Sequence, residues 1–302
     1  MKKEFLNYPD WQDTADTLHM YLQIVGKVKL ARCFERPEWA HVRMYLTIDG
    51  LTTGIIPGDK VPFEILFDLH KHRVEVRSAD GRDIVIPLVN NLPVAEFYRE
   101  ILKALDYVGS PTAINVRPQE FYDPVDFDKD EKHCSYDSIA ARLFLDNLHF
   151  AFHAINRFLS PFRGKVDFPA YYFGTMDLSG IVYSGESAPI DRKGVISRRA
   201  FDERCCEFGF WPGDWRAPSP SFFVMPYPFI ESIGEDAGLL EPDGAVFVPE
   251  KKEFFFTLED AFSYEDSSDA VSQFMRNSFD ILQKQSRWND LDWIMKPLSR
   301  EE

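Results

Sequence analysis

"FEILFDLHKHRVEVRSADGRDIVIPL", residues 63–88, decides the fold class. Phe63, Ile65, Phe67 and Leu69 alternate with Glu64 and Asp68, so an extended chain here has one apolar and one polar face. Asp80-Gly81 separates "RVEVRSA" from "RDIVIPL" and suits a hairpin turn whose two central positions take positive φ. Strands joined by so short a turn run antiparallel. Outward from this run, "HVRMYLTI" (41–48) and "LTTGII" (51–56) read as further strands. A long helix, roughly Asp13 to Arg32, precedes them. "VAEFYREILKALDYVG" (94–109) follows, with Val94, Phe97, Ile101, Leu102 and Leu105 at helical spacing and Gly109 placed as a C-cap. "TAINV" (112–116) reads as a short strand.

The remainder repeats the pattern. "SYDSIAARLFLDNLHFAFHAINRFL" (135–159) is a second long helix with Ser135 placed to cap it. Six strand-like segments come next: "DFPAYYFGTMDL", "GIVYSG", "RCCEFGFW", "SFFVMPYP", "AVFVP" and "EFFFTL". A last helix covers about 267–284. Strands grouped together rather than alternating with helices indicate an α+β fold with antiparallel sheets. Each half reads helix, antiparallel meander, helix, so a pseudo-repeat stands beside chance similarity of two α+β halves. The expected boundaries are an N-terminal half at 1–118, an acidic connection at 119–134 and a C-terminal half at 135–302.

Of 302 residues, 45% are hydrophobic and 15% aromatic, which is ample for a packed core. The net charge of −15 disfavours nucleic acid and anionic membrane surfaces. A basic cluster of Arg192, Lys193, Arg198 and Arg199 reads as a solvated loop. "MKKEFLNYPDW" has no apolar run behind its lysines, and no window matches a membrane span. Cys33, Cys134, Cys205 and Cys206 show no metal or disulfide spacing, so a cytoplasmic protein with reduced thiols is expected. GxGxxG after a strand, GxxxxGK[ST], GxSxG and HExxH are all missing.

Polar side chains set in apolar runs are the candidate chemistry. His19, Gln23 and Lys27, with Asp16, recur along one line of the first helix, and Gly26 borders that line. They form a solvent strip, a hydrogen-bond ladder or the wall of a site. His19 and His41 are candidate acid–base groups near neutral pH. In "YDPVDFDKDEKHCSYD", Asp130 and Asp137 lie near His133, and Tyr136 adds a phenol; helix capping explains Ser135 and Asp137 equally well. Lys165 and Asp177 lie near a Gly-containing turn, and Trp211 belongs to a Pro-Gly turn, "GFWPGDW". Asp146, His149 and His153 have helical metal-site spacing but no complete ligand set. No metal or cofactor is expected.

Several stretches, "WQDTADTLHMYLQIVGKVKLA", "WAHVRMYLTIDGLTT", "FEILFDLHKHRVEVRSADGR", "DPVDFDKDEKHCSYD", "FRGKVDFPAYYFGTMDLSG" and "EFGFWPG", together resemble an uncharacterised bacterial family known only as a domain of unknown function. The resemblance runs from about Trp11 to the last helix. Its motifs take in His19, Gln23, Lys27, Trp39, His41, Asp123, His133, Tyr136, Asp137 and Trp211, and leave out His149 and His153. Where the resemblance implies a histidine on the strand after Gly164-Lys165, this chain has Ala170 and Tyr171. It implies no reaction, cofactor or partner.

Two functions of different class follow. One is a small-molecule site between the halves with His133 or His41 as acid or base, Lys27 or Lys165 on an anionic group and Trp211 against the ligand. The other is a protein-interaction module without catalysis.

Overall fold

Pro9 opens the first helix, α1 (Tyr8–Arg32), where no N–H is needed, and the Asp10 carboxylate accepts the Asn7 N–H at 3.1 Å. The helix starts ahead of the apolar periodicity, and every residue from Thr14 to Lys29 is buried. A computed structural model describes residues 3–188 and 195–296.

After α1 come β1 (Tyr45–Leu46), β2 (Gly50–Thr52), β3 (Phe63–Asp68), β4 (Arg73–Ser78) and β5 (Asp83–Pro87), an antiparallel meander in that order. Phe63, Ile65 and Phe67 are buried on one face as their alternation requires. The β4–β5 hairpin exists, but its turn differs from the expected two-residue type. Gly81 alone takes positive φ (+83°), and Asp80 instead binds Ser78 Oγ at 2.6 Å and the Arg82 guanidinium at 2.7 Å. A carboxylate that clamps both ends of the loop replaces the second left-handed residue. The next helix, α2 (Val94–Tyr107), sets Phe97 against Tyr21 of α1, ring centroids 4.1 Å apart, and 6.3 Å from Phe67 of β3. Thus α1, α2 and the sheet share one core.

No strand forms at 112–116; those residues run in a long irregular segment between α2 and α3 (Ser138–Leu159). The cap of α3 is Asp137 rather than Ser135: its Oδ1 accepts the N–H groups of Ile139 and Ala140 at 2.8 and 3.2 Å.

Beyond α3 lie β6 (Val166–Tyr172), β7 (Asp177–Ser187), α4 (Val195–Ala200), β8 (Glu203–Trp211), β9 (Ser221–Tyr227), β10 (Val246–Val248) and β11 (Glu253–Thr257). Then come α5 (Leu258–Ser263), α6 (Ser267–Ser286) and α7 (Leu291–Ile294). The second sheet has the order β10-β11-β9-β8-β7-β6. Its core is aromatic: Phe158 of α3 lies 4.7 Å from Phe208, and α6 places Phe279 5.9 Å from Phe208 and Phe274 5.5 Å from Phe256. Among the described residues the fold is therefore α+β with two antiparallel sheets, of five and six strands. The sheets differ in strand order and do not establish a duplication.

Two compact units result, one from Leu6–His149 with Tyr171–Asp177, the other from Phe150–Ala170, the chain from Leu178 onward and the N-terminal residues to Phe5. All four cysteines are free thiols. Among the described residues no helix is long and apolar enough to cross a membrane. Of the basic cluster, Arg192 and Lys193 lie outside the described residues; Arg198 and Arg199 are exposed on α4.

Gly26 owes its place to one contact. A Cβ there would stand 2.1–2.6 Å from the ring of Phe173, which lies flat against α1. Gly26→Ala should lower unfolding free energy by about 1–3 kcal/mol from overpacking, against the roughly 1 kcal/mol that helix propensity alone would add. Urea unfolding checks this; a neutral or stabilising substitution contradicts the close packing.

Candidate functional site

The polar line of α1 faces inward. Asp16, His19, Gln23 and Lys27 are all at most 8% exposed, and their partner is the segment from Pro111 to Tyr122. Gln23 Nε2 donates to the Gln119 carbonyl at 2.8 Å while Gln23 Oε1 accepts the Gln119 N–H at 2.9 Å. Lys27 Nζ donates to the carbonyls of Asn115, at 3.1 Å, and Arg117. Arg32 donates to the Pro111 carbonyl at 2.6 Å and to Thr112 Oγ1 at 2.8 Å. Carbonyls 111, 115, 117 and 119 are all odd-numbered, whereas Thr112, Ile114, Val116 and Pro118 are the less exposed positions. That alternation belongs to an extended chain. On its other edge Val116 accepts the Phe127 N–H at 2.9 Å. Residues 112–116 thus have strand-like conformation, but a row of helix side chains stands where a neighbouring strand would.

Burial decides the ionisation of this row. It pushes the Lys27 ammonium down to about 8 and the His19 imidazole down to about 4. His19 Nε2 lies 3.0 Å from the Gly174 carbonyl and 3.0 Å from Gln23 Nε2. Because Gln119 fixes the Gln23 amide, each neutral tautomer of His19 satisfies one of these neighbours. The ring is neutral at neutral pH and braced between main chain and amide, which makes it a structural group.

His133 is placed differently. The turn carrying it is anchored by the first N–H groups of α2: Val94 donates to the His133 carbonyl at 3.0 Å and Ala95 to that of Asp130 at 2.9 Å. The Asp130 carboxylate is wholly buried and takes the main-chain N–H of His133 at 3.0 Å and of Lys132 at 3.1 Å, plus the imidazole Nδ1 at 2.7 Å. A carboxylate on Nδ1 orients the ring and leaves Nε2 as the exchangeable nitrogen. Phe121 stands edge-on between the two buried imidazoles, its centroid 5.7 Å from His19 and 5.4 Å from His133. Tyr136 turns away, its hydroxyl 3.0 Å from His72 Nδ1.

An open cleft of about 700 Å³ lies where α1 and α3 begin, walled by residues 9–14, Asn90 and residues 135–138. Tyr136 and Asp137 belong to that wall. So does Gln12, whose Nε2 donates to Tyr122 Oη at 3.1 Å; Tyr122 in turn donates to Asp16 at 2.9 Å, and Tyr8 donates to Asp16 at 2.5 Å. Tyr8, Gln12 and Tyr122 carry this arrangement without having been selected from the sequence. Asp16 had a signal in its place on the helical line, and Asp130 in its nearness to His133.

The other candidates have partners of their own. His41 stacks on Trp39 at 5.2 Å, and its Nδ1 accepts the Arg36 N–H at 3.2 Å. Lys165 binds Glu203 at 2.7 Å at the start of β8, whereas Trp211 ends that strand under the Lys251 ammonium, 4.9 Å away. Eight residues of strand, about 26 Å, separate those two places. Asp177 is buried and accepts the Thr175 hydroxyl. Ala170 and Tyr171, where the resemblance implies histidine, are buried, and Tyr171 exchanges both main-chain bonds with Met44 at 2.8 and 2.9 Å. His149 Nε2 lies 2.9 Å from the Thr47 carbonyl. Among the described residues no three His, Cys, Asp or Glu side chains are grouped as metal ligands.

Burial lowers the pKa of His19 in the folded chain. Between its ordinary value, about 6.5, and about 4, the unfolded chain binds a proton that the folded chain does not. The stability this represents is fully present above pH 6.5 and is lost as pH falls toward 4. Denaturant unfolding at pH 7 and pH 4.5 should therefore show a smaller acid loss in His19→Gln than in the parent. Equal losses contradict a buried neutral imidazole.

No curated protein and no solved structure shows significant similarity to this chain. A family model, the "Family of unknown function (DUF5996)", matches residues 4–293, and the chain belongs to that family.

Proposed function

We propose that the protein binds a small polar molecule in the cleft at the start of α1 and α3, with the Asp130–His133 pair as the nearby acid–base group. The observation that carries this reading is the cleft itself, walled by Tyr136 and Asp137, which follow His133 in the chain by three and four residues. The oriented imidazole supports proton transfer to or from such a ligand. In this reading Gln23 and Lys27 hold the segment from Asn115 to Gln119 rather than the ligand, and Lys165 and Trp211 have no part in it. Four unbridged thiols favour a cytoplasmic location, and the −15 charge disfavours nucleic acid as partner.

A second reading, an interaction module without catalysis, draws on Phe34, Ile48, Ile55 and Ile139, each 78–83% exposed.

A thermal-shift screen of polar metabolites separates the two. A compound that binds the cleft should stabilise the parent and the Lys165→Ala control alike. It should bind Asp13→Asn roughly tenfold more weakly, about 1.4 kcal/mol, because Asp13 is an exposed carboxylate of the wall. A compound that stabilises all three equally contradicts this assignment, and so does a screen in which nothing binds.

A further inference from the structure

Asp16 is a carboxylate on a helix face that is otherwise sealed, only 5% exposed. It has a full set of partners: Tyr8 Oη at 2.5 Å on one oxygen and Tyr122 Oη at 2.9 Å on the other. Tyr8 is buried, whereas Tyr122 is 42% exposed and so reaches solvent. Its oxygen also accepts from Gln12, a residue of the cleft wall, at 3.1 Å. His133, held by Asp130 at 2.7 Å, also favours the ionised form of Asp16. A chain of hydrogen-bonded exchangeable groups therefore runs from the surface, at Tyr122, to the buried carboxylate of Asp16.

We propose that Asp16 is the proton-transfer carboxylate of this site, with Tyr122 as its conduit to the surface and Gln12 as the positioning residue that ties the conduit to the cleft. The proposal rests on the cleft as the ligand site only for the identity of the proton donor. The transfer balances simply. Tyr122 Oη takes a proton from a cleft ligand, left as its conjugate base, or from a hydronium ion, left as water, as its own hydroxyl proton passes to Asp16 Oδ2, so Asp16 ends neutral and Tyr122 unchanged. The reverse step returns the proton. Tyr8 stays a donor throughout: burial and Asp16 hold its phenol far above the ordinary range, so it stabilises the ionised carboxylate without titrating.

Burial raises the pKa of Asp16, and Tyr8, Tyr122, His133 and Gln12 oppose that rise. Carbon-13 titration of aspartate carboxyls in the intact protein reads this directly, with Asp16 assigned by its loss in Asp16→Asn. The expected result is that Asp16 titrates above ordinary aspartates. Tyr122→Phe and His133→Gln should each raise its proton affinity further, by a factor of about three or more. A purely packing role for Tyr122 or His133 would change the melting temperature and leave that midpoint in place. Tyr122→Phe, at a half-exposed position, keeps the test valid if His133→Gln does not fold. An Asp16 midpoint that neither variant moves overturns the proposal. If the midpoint moves but no screened compound binds the cleft, the ligand reading fails and the relay to solvent stands.

Discussion

Two hydrogen bonds between the Gln23 amide and the main chain of Gln119 are the constraint on which the first unit depends. They let a buried helix do the work of a strand. Four residues along a helix advance about 6 Å, and two residues along an extended chain advance about 6.6 Å. Side chains spaced by four on α1 therefore meet alternate carbonyls of the segment from 111 to 119 almost in register. Gln23 meets Gln119, and Lys27 meets Arg117 and Asn115. The polar line inside an apolar helix is what that match looks like in sequence. Without it the N–H and carbonyl of Gln119 lose these partners.

The candidate site follows from the same arrangement. Holding 111–122 against α1 delivers Phe121 between His19 and His133 and brings Tyr122 to Asp16. Further along, the α2 N-terminus binds the carbonyls of Asp130 and His133. Thr17 and Thr14 of α1 accept the N–H groups of Ser135 and Asp137 at 3.1 and 2.9 Å. The irregular segment thus acquires a defined shape from the ends and sides of helices. Chemistry is concentrated there because an irregular backbone can bring an Asp130, a His133 and a Tyr122 together without the fixed spacing of a strand.

Antiparallel pairing was legible in residues 63–88, since alternation and a Gly-bearing turn are local properties, and so were α1, α2, α3 and α6, whose periods are local as well; α4, α5 and α7 are too short to show a period. What is non-local was not. "TAINV" has an extended pattern, and nothing in five residues says that its partner is a helix rather than a strand. Ser135 and Asp137 are equally good caps by type, and only the path of the chain selects Asp137. Of the site, His133 and its neighbours Tyr136 and Asp137 were visible because they are crowded in sequence, although Tyr136 proves to serve His72. Tyr8 and Tyr122 are 114 positions apart and meet only on Asp16, a convergence that no spacing rule contains. Lys165 and Trp211 stood out by residue type and by the turns that carry them, and the strand between them keeps them apart.

Native-state hydrogen exchange at the Gln119 amide tests the account most directly. In the parent that N–H, held by Gln23 Oε1, should exchange at least about a hundredfold more slowly than an unprotected amide. In Gln23→Ala the protection should vanish at Gln119 while the amides of α1 and β3 keep theirs. A Gln119 amide that exchanges freely in the parent, or stays protected in the variant, would contradict the claim that side chains of α1 take the place of a strand.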